Sequence, residues 1–528
     1  MYDYLMRHYQ YELTNGRHPD DNRQLLLHID GSAGTGKSYL IEIVSSHLAQ
    51  LAAHHGRGDP VIRCAPTGVA AHNISGYTLH RLFHINPKKP GDPISNAQRS
   101  RFQAELRSVR YIIIDEKSMV SLAMLGALHG RCCEVFPGFN HLPFGGANVI
   151  ICGDFAQLPP VGGKALYMPL TPDIRRQTEL VGVEMYRQFD RTIVLTHIMR
   201  QIGEDEESRA FRDILNSLRD GSLSVEQWQR LTRRWKGNLS LTEIDEFADA
   251  LRKRAIKTSV SSYNYQKLRS LQSPAIVIQA KNSGSGKAKD APTDIASNLQ
   301  ATIPLCLNCR VMLTKNIWIE LGLINGAMGT VRHILWKPDT VDPKSVQPAV
   351  VFVEIDGFAP ASPGSIDIDG RCCVPIFPVT YEFYYDGQEC HRTQFPLALA
   401  YAITVHKSQG ISTSKAVLDI SDAEFSVGLT YVAISRVRTF KGLAFEKAFD
   451  HERLVRRPRR SDRGPNVLKM RRLDTERRAQ QPLVPFDPTV RSVVDPWTVG
   501  LPDDDSEGSQ RCEETIEDDD DEDLGSLS

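Results

Sequence analysis

The sequence lacks several features that define common protein classes. No apolar run approaches the ~18 residues that a membrane-spanning helix needs, and the start MYDYLMRHYQ does not have the apolar centre of a secretion signal. Only 10 of the 528 residues are cysteine, which is too few for a disulfide framework in a chain of this length. We therefore expect an intracellular protein with reduced thiols and no membrane partner.

Cysteine spacing gives no strong metal motif either. Cys306 and Cys309 form a C-x-x-C pair, but no second pair follows at zinc spacing. The pair lies in the apolar stretch LCLNCRVML, which favours two buried strand cysteines over a metal site.

A strong net charge is also missing, since the formal charge is only −1. The charges are unevenly distributed, however, because residues 501–528 contain thirteen acidic residues and one arginine. The remaining 500 residues carry 62 Lys and Arg against 51 Asp and Glu, a net charge of +11. A basic body fits a polyanionic partner, although two unrelated solvated charge runs would give the same numbers.

The clearest motif is LLLHIDGSAGTGKSYL, residues 25–40. An apolar run predicts a buried strand, GSAGTGKS is the phosphate-binding G-x-x-x-x-G-K-S loop, and helical spacing follows. Backbone N–H groups of such a loop point at phosphate oxygens, and the helix N-terminus adds partial positive charge. Lys37 is predicted to reach the β- and γ-phosphates, and the Ser38 hydroxyl to bind Mg²⁺. The predicted nucleotide-binding residues here are Gly31, Ala33, Gly34, Thr35, Gly36, Lys37 and Ser38.

Two later strands end in side chains that would complete such a site. RYIIIDE, residues 110–116, predicts a buried strand that ends in two carboxylates. Behind a phosphate-binding loop, Asp115 is expected to hold Mg²⁺ and Glu116 to activate the attacking water as general base. The strand NVIICG is followed by DFAQLPPV, in which Gln157 can donate to a γ-phosphate or orient water.

The pattern then changes and returns. Residues 301–394 have short β-rich runs separated by Gly, Pro and Asp, which predicts a small antiparallel module. An α/β pattern resumes at FPLALA and continues through the polar stretch TVHKSQG, residues 404–410, to TYVAISR, which contains Arg436. A second α/β domain that faces the first would place ATP in the cleft between them, with Arg200 and Arg436 reaching in from the far side. Closure of that cleft would couple nucleotide to movement, as in a motor.

Two segments are interpreted as unstructured. KNSGSGKAKD, residues 281–290, resembles a second phosphate loop but lacks the strand and helix around it, so we predict a flexible surface insertion. After about residue 450 the chain is rich in Arg, then Pro, then acidic residues, which predicts disorder. Residues 456–460, RRPRR, are either a nuclear import signal or a solvated basic linker.

Seven motifs in this order resemble the Pif1-like DNA helicases of superfamily 1: GSAGTGKS, APTGVAA…GYTLH, IIIDEKSM, GDFAQLPP, LTHIMRQ, FPLALAYAITVHKSQG and TYVAISR. The resemblance covers about residues 25–443. It implies an α/β fold with two RecA-like domains, a small wedge insertion near 81–108 and an SH3-like β insertion near 316–394. The implied divisions are 1–190 for the first domain, 191–450 for the second and 451–528 for a disordered tail.

The resemblance also implies a role for individual residues. Those that bind nucleotide or Mg²⁺ or act in hydrolysis are Gly34, Gly36, Lys37, Ser38, Asp115, Glu116, Gln157, Arg200 and Arg436. Those of the loop that links ATP to DNA are Gln409 and Gly410, and those lining the DNA path are Thr67, His80, Thr404 and His406. Members of this family carry an adenine-reading glutamine upstream of the loop, and Gln10 stands too late to match it. Either the sequence is truncated there or adenine selectivity is relaxed.

The implied function is ATP- and Mg²⁺-dependent 5′→3′ translocation on single-stranded DNA, with unwinding at single-strand/duplex junctions. A monomeric enzyme in DNA repair, recombination and telomere maintenance is expected, in the nucleus or mitochondria of a eukaryote. Three alternatives remain at this point. The motor could belong to a rolling-circle (Helitron-type) mobile element, the chain could be a nucleotide-dependent DNA-binding scaffold, or it could act on RNA, although nothing in the sequence reads a 2′-hydroxyl.

Overall fold

The computed structural model describes residues 1–484 except 17–22, 87–88, 170–175, 202, 249, 255–256, 285, 294–295, 297–298, 319–320, 339, 341–345, 359–362, 386–387, 406–407, 410–412, 422–427 and 456–466. We call residues 2–195 the first lobe and residues 206–445 the second lobe. None of the described helices is long and apolar enough to cross a membrane.

The first lobe is built around one parallel sheet. Its elements are α1 (Tyr2–Asn15), β1 (Leu26–Gly31), α2 (Lys37–His54), β2 (Val61–Ala65), α3 (Gly68–Asn73), β3 (Tyr77–Thr78), α4 (Leu79–Leu82), α5 (Asn96–Glu105), β4 (Tyr111–Ile114), α6 (Leu122–Val135), β5 (Asn148–Gly153), α7 (Gln177–Arg187) and β6 (Arg191–Leu195). The six strands lie in the order β3-β2-β4-β5-β1-β6. β4 and β5 are buried along their whole length, because a parallel sheet covered on both faces needs continuous apolar strands.

The second lobe combines a parallel sheet with antiparallel sheets. Its helices are α8 (Glu206–Asp220), α9 (Val225–Thr232), α10 (Leu241–Asp245), α11 (Lys257–Ser270) and α12 (Leu429–Ser435). Its strands are β7 (Leu251–Arg254), β8 (Ala275–Gln279), β9 (Lys281–Ser283), β10 (Thr302–Cys306), β11 (Arg310–Leu313), β12 (Met328–Leu335), β13 (Val350–Ile355), β14 (Ile366–Ile368), β15 (Arg371–Ile376), β16 (Val379–Tyr385), β17 (Gln388–Gln394), β18 (Leu397–Leu399), β19 (Ala402–Thr404), β20 (Ala416–Asp419) and β21 (Leu443–Phe445). After the lobe come α13 (His451–Val455) and α14 (Val467–Ala479).

The parallel sheet of the second lobe has the order β19-β7-β20-β21. The strands between β7 and β19 in the chain form antiparallel sheets instead, in the orders β14-β15-β13-β12-β11-β18, β16-β17-β9 and β10-β8. Two α/β lobes with an antiparallel insertion in the second confirm the predicted fold class. The insertion is larger than residues 316–394, because β9, β11 and β18 complete its sheets from outside those limits.

Three predictions need correction. The domain boundary after residue 190 is misplaced, because β6 pairs in parallel with β1 and so belongs to the first sheet. Residues 281–290 are not simply a flexible insertion: β9 pairs with β17, and Ala288 is buried beside Arg392, which donates to its carbonyl. Disorder from residue 451 is wrong for α13, α14 and residues 480–484, which are hydrogen bonded to the lobes. Residues 485–528 lie outside the described part.

The predicted wedge, residues 81–108, contains buried aromatic side chains that attach it to the first lobe. It contains α5, which begins with a capping box between Ser95 and Gln98. The Phe83 and Phe102 rings are buried and meet edge to face at 5.7 Å between centroids. The segment is therefore fixed to the core of the first lobe, and its action as a wedge stays a prediction.

Helices α6 and α7 touch through two glycines, which gives a test of packing in the first lobe. A Cβ at Gly126 would lie 2.0 Å from the carbonyl oxygen of Thr178, and one at Gly182 would lie 2.0 Å from that of Leu122. We expect Gly126→Ala to lower the free energy of unfolding by about 3 kcal/mol, because the two helix backbones must separate. Urea denaturation of the purified protein measures this.

Gly130 in the same helix α6 is the matched control, since a Cβ there meets nothing within 4 Å. Gly130→Ala should be neutral or stabilise the protein by up to about 1 kcal/mol, the difference in helix propensity. Equal effects of the two substitutions would contradict the close packing.

Candidate functional site

The phosphate-binding loop lies between β1 and α2, at the carboxyl end of the strand that lies between β5 and β6 in the first sheet. Gly34 and Gly36 have φ of +87° and +82°, which side chains with a Cβ rarely adopt. Lys37 points inward and donates to the carbonyl oxygens of Gly31 and Ser32 at 2.8 and 2.9 Å. The loop is therefore folded as the sequence predicts, with its lysine at its centre.

The carboxylates predicted to serve hydrolysis follow β4, so they lie at the carboxyl ends of the strands, as the phosphate-binding loop does. The Ser38 hydroxyl lies 3.4 Å from Oδ2 of Asp115, and both Asp115 and Glu116 are buried. Burial, and next the neighbouring Glu116, raise the pKa of Asp115 to about 6. A hydroxyl and a carboxylate held together in this way are a suitable pair of oxygen ligands for Mg²⁺.

The second lobe supplies the opposite wall of this site. Arg436, at the end of α12, donates to Oε1 of Gln157. Gln409 donates to Oε2 of Glu116 at 3.2 Å. Arg200 lies between the lobes and donates to the carbonyl oxygen of Ser435 at 3.1 Å. Side chains that are far apart in the chain thus converge on one place.

A cavity of about 450 Å³ lies between these walls. The predicted residues that line it are Ala33, Gly34, Thr35, Gly36, Lys37, Ser38, Asp115, Glu116, Gln157, Arg200 and Arg436. Within the described chain, Nε of Arg436 and Oε1 of Gln409 are buried without hydrogen-bond partners. The cations of the cavity wall, the N-terminus of α2 and the unpaired Nε of Arg436 suit a nucleoside triphosphate with Mg²⁺, so the residues present fit that ligand.

The other predicted residues are placed as follows. Gly31 is not in the cavity wall but accepts the bond from Lys37. Thr67 and His80 follow β2 and β3, and Thr404 ends β19, so each lies near the carboxyl end of a parallel strand and outside the cavity wall. Gly410 and His406 fall outside the described residues.

The sequence did not point to a buried polar network beside the loop. The Tyr431 hydroxyl accepts from the backbone N–H of Ala33 and donates to Oδ2 of Asp154, both at 3.0 Å. Asp154 also pairs with Arg219 at 3.1 Å. Burial would raise the pKa of Asp154, but the charges of Arg219 and Lys37 outweigh it and lower that pKa. Asp154 and Tyr431 lie inside the motifs GDFAQLPP and TYVAISR, but nothing in those motifs indicates that the two side chains meet.

Lys253 on β7 is a buried charge that the sequence analysis also missed. Its side chain is fully buried, and Nζ has no hydrogen-bond partner among the residues that the structure describes. Burial, with the nearby Arg436 and Arg200, lowers its pKa from 10.5 to about 7. An ammonium group in this position costs folding free energy unless it loses its proton.

Replacing Lys253 by methionine should therefore stabilise the protein in a pH-dependent way. The folded-state pKa lies below the unfolded one, so the cost is complete below pH 7 and disappears as the pH rises towards 10.5. We expect Lys253→Met to raise the free energy of unfolding by roughly 4 kcal/mol at pH 7 and by clearly less at pH 9. Denaturant titrations at the two pH values measure this.

Lys441→Met, at an exposed lysine, is the control and should change stability little at either pH. The same gain at both pH values for Lys253→Met would mean that Lys253 carries no proton-linked cost.

Comparison with known proteins supplies the family. The model of the PIF1-like helicases matches residues 18–229. The chain is 30% identical over 421 residues to "ATP-dependent DNA helicase Pif1" of Bdellovibrio bacteriovorus, covering 79% of this chain and 82% of that protein. It is 29% identical over 429 residues to human "ATP-dependent DNA helicase PIF1", covering 78% of this chain but only 57% of the human protein.

Solved structures agree with this at the level of the fold. The crystal structure of Pif1 helicase from Candida albicans superposes with a TM-score of 0.62 at 25% identity, over 89% of this chain and 98% of that one. A Bacteroides Pif1 crystallised with single-stranded DNA superposes with a TM-score of 0.59 at 24% identity, over 85% and 93% of the two chains. With its loop, carboxylates and arginines around one cavity, the chain belongs to the family of Pif1-like helicases, which are ATP-hydrolysing enzymes.

Proposed function

We propose that this protein is an ATP-dependent DNA helicase that moves 5′→3′ along single-stranded DNA and opens duplex at junctions. One observation carries the proposal: a single cavity is lined by the loop and carboxylates of the first lobe and by Arg436 of the second. Hydrolysis in such a cavity changes the attraction between the lobes, and this change is what a translocating motor needs.

Each residue of the cavity has a chemical role in this proposal. Lys37 and the loop N–H groups bind the phosphates, and Ser38 and Asp115 would hold Mg²⁺, which neutralises phosphate charge. Glu116 accepts a proton from the attacking water, and Gln157 orients that water. Two arginines then stabilise the charge that develops on the transferred phosphoryl group, Arg200 and Arg436.

Contacts between the lobes support coupling of this chemistry to DNA. The bond between Gln409 and Glu116 joins the catalytic carboxylate to the loop that would lead to DNA. We infer that DNA runs past the strand ends that carry Thr67, His80 and Thr404. By the family pattern, His406 would join them in binding DNA, and Gln409 and Gly410 would belong to the loop that links ATP to DNA. Residues 1–500 carry a net charge of +11, which favours a phosphate backbone as ligand.

The wider biological role is inferred from the family. We propose a monomeric enzyme that acts in DNA repair, recombination and telomere maintenance, in the nucleus or the mitochondria if the source is a eukaryote. Intact Lys37, Glu116 and Arg436 support a working motor over a non-catalytic scaffold.

The first test is ATP hydrolysis with and without single-stranded DNA. We expect DNA to stimulate turnover, and Lys37→Ala to reduce the stimulated rate by at least about a hundredfold, because the phosphates lose their central cation. Lys415→Ala is the matched control, since Lys415 lies outside the cavity wall, where its ammonium group pairs with Glu246 and lies over the Phe247 ring. Turnover that is independent of both DNA and Lys37 would contradict the proposal.

The second test is the direction of movement. Duplexes with a single-stranded 5′ tail should be unwound in the presence of ATP and Mg²⁺, whereas duplexes with only a 3′ tail should not. Strand separation is followed by the fluorescence of a labelled strand, and Glu116→Gln gives the baseline without hydrolysis. Preference for the 3′ tail would overturn the proposed polarity while leaving the helicase assignment intact.

A further inference from the structure

The C-terminal helix α14 lies on the first lobe, although the chain reaches it from the second. Upstream, His451 of α13 is hydrogen bonded through Nε2 to the carbonyl oxygen of Leu223 in the second lobe, at 2.8 Å. Downstream, the backbone N–H of Thr192 donates to the carbonyl oxygen of Gln481 at 2.7 Å, and that of Leu483 donates back to Thr192 at 3.2 Å. The end of the described chain thus extends the first sheet beside β6.

The helix places Arg478 against the residue that precedes the phosphate-binding loop. Asp30 is the neighbour of Gly31, and its carboxylate pairs with two cations, Lys117 and Arg478. Lys117 is the residue directly after Glu116. Arg478 and Lys117 have almost no exposure to solvent, 2% and 0% of their side chains. One carboxylate therefore connects α14 to both catalytic segments of the first lobe.

A second carboxylate holds the arginine in place. Asp474, one turn earlier in α14, accepts from Nε of Arg478 at 2.8 Å and from the Tyr186 hydroxyl at 2.9 Å. Arg477 adds a contact with Asp474 at 3.1 Å. Arg478 is therefore fixed between two carboxylates, one from its own helix and one from β1.

The titratable groups around Asp30 and Asp474 carry charges that compensate one another. Burial lowers the pKa of Lys117 to about 8 and that of Arg478 to about 10, and it raises the pKa of Asp474. His28, also on β1, is fully buried between Tyr186 and Phe189. Burial lowers the pKa of His28 well below 6.5, so it is neutral and adds no charge.

The helix also reaches the network around Asp154. Arg471 donates to the carbonyl oxygen of Arg219 at 2.8 Å, and Arg219 is the residue of α8 that pairs with Asp154. A cavity of about 690 Å³ remains between α14, α8 and the end of β5. α14 therefore contacts both Asp30, which precedes the phosphate-binding loop, and Arg219, which pairs with Asp154.

Building on the proposed function, we propose that Arg478 is a positioning residue for ATP hydrolysis. It fixes Asp30, and through Asp30 it fixes Lys117, so that the loop and Glu116 keep their relative geometry. The physical reason is local. Asp30 continues directly into Gly31, and Glu116 is held at a φ of +53°, a backbone conformation that non-glycine residues keep only when their surroundings impose it. Loss of one buried partner frees Asp30 and relaxes both segments.

The test replaces Arg478 by glutamine and by lysine, in the full-length protein. We expect Arg478→Gln to lower the DNA-stimulated kcat by roughly tenfold or more, with KM for ATP changed by less than about threefold, because misplacement of catalytic groups affects chemistry more than binding. Arg478→Lys keeps the charge but cannot bridge two carboxylates as a planar guanidinium does, so it should lie in between. Arg472→Gln is the control on the same helix, since the Arg472 side chain is 83% exposed and its ion pair is with Glu476. This variant should keep the wild-type kcat.

A readout that needs no turnover separates this proposal from the helicase proposal. Hydrogen exchange of the nucleotide-free protein should be faster in Arg478→Gln than in Arg472→Gln at the backbone of residues 31–38 and 116–119. Rates are compared well below the melting temperature of each variant, and if Arg478→Gln does not fold, Arg478→Lys is used in its place. Unchanged exchange in these segments, or a wild-type kcat, would overturn the positioning role. A wild-type protein without ATPase activity but with the expected exchange difference would overturn only the proposed function.

Discussion

The side chain of Asp154 joins the two lobes of this molecule. It belongs to the first lobe and is fully buried, and its partners Arg219 and Tyr431 belong to the second. A buried carboxylate is stable only when such partners are present. Tyr431 continues the network to the backbone of Ala33 in the phosphate-binding loop. Any separation of the lobes must therefore break hydrogen bonds that end at the nucleotide site, which ties the motion to the state of that site.

Two further side-chain contacts join the first lobe to the second, in addition to those of Asp154. Arg436, in the cavity wall, donates to Gln157, and Gln409, outside that wall, donates to Glu116. Both leave a buried polar atom without a partner in the described residues. A site with unpaired donors and acceptors has capacity for a polar ligand, and occupancy by that ligand would strengthen the contact between the lobes. The geometry accordingly favours a cleft that closes more firmly over nucleotide.

The sequence predicted the parts of this site that are local in the chain. Lys37 and Ser38 follow a strand and begin a helix, and the loop between needs glycines, so spacing alone indicates a phosphate site. Arg436 is predicted less directly, from a second α/β domain that faces the first and from the resemblance to a family, because no residue near it shows which cavity it faces. Tyr431 and Asp154 were missed as partners, since residues 277 apart in sequence meet only after both lobes have folded.

The C-terminal helix shows a different limit of prediction. The composition of residues 451–528 indicates disorder, because charged residues are frequent and apolar ones are few. α14 nevertheless packs on the first lobe through Arg478, whose charge is compensated by Asp30, and Asp30 in turn pairs with Lys117. Composition cannot reveal such pairing, because the partners lie some 350 residues or more upstream. The same reasoning explains β9, which is polar and short but completes a sheet with β17.

The most direct measurement of the central claim is the effect of Arg436→Ala on hydrolysis and on binding of ATP. If the second lobe completes the catalytic site, kcat should fall by about 10³-fold or more, while the dissociation constant of a non-hydrolysable ATP analogue changes far less. A kcat close to that of the wild-type protein would show that the first lobe catalyses the reaction alone, and would contradict the account of a site shared between two lobes.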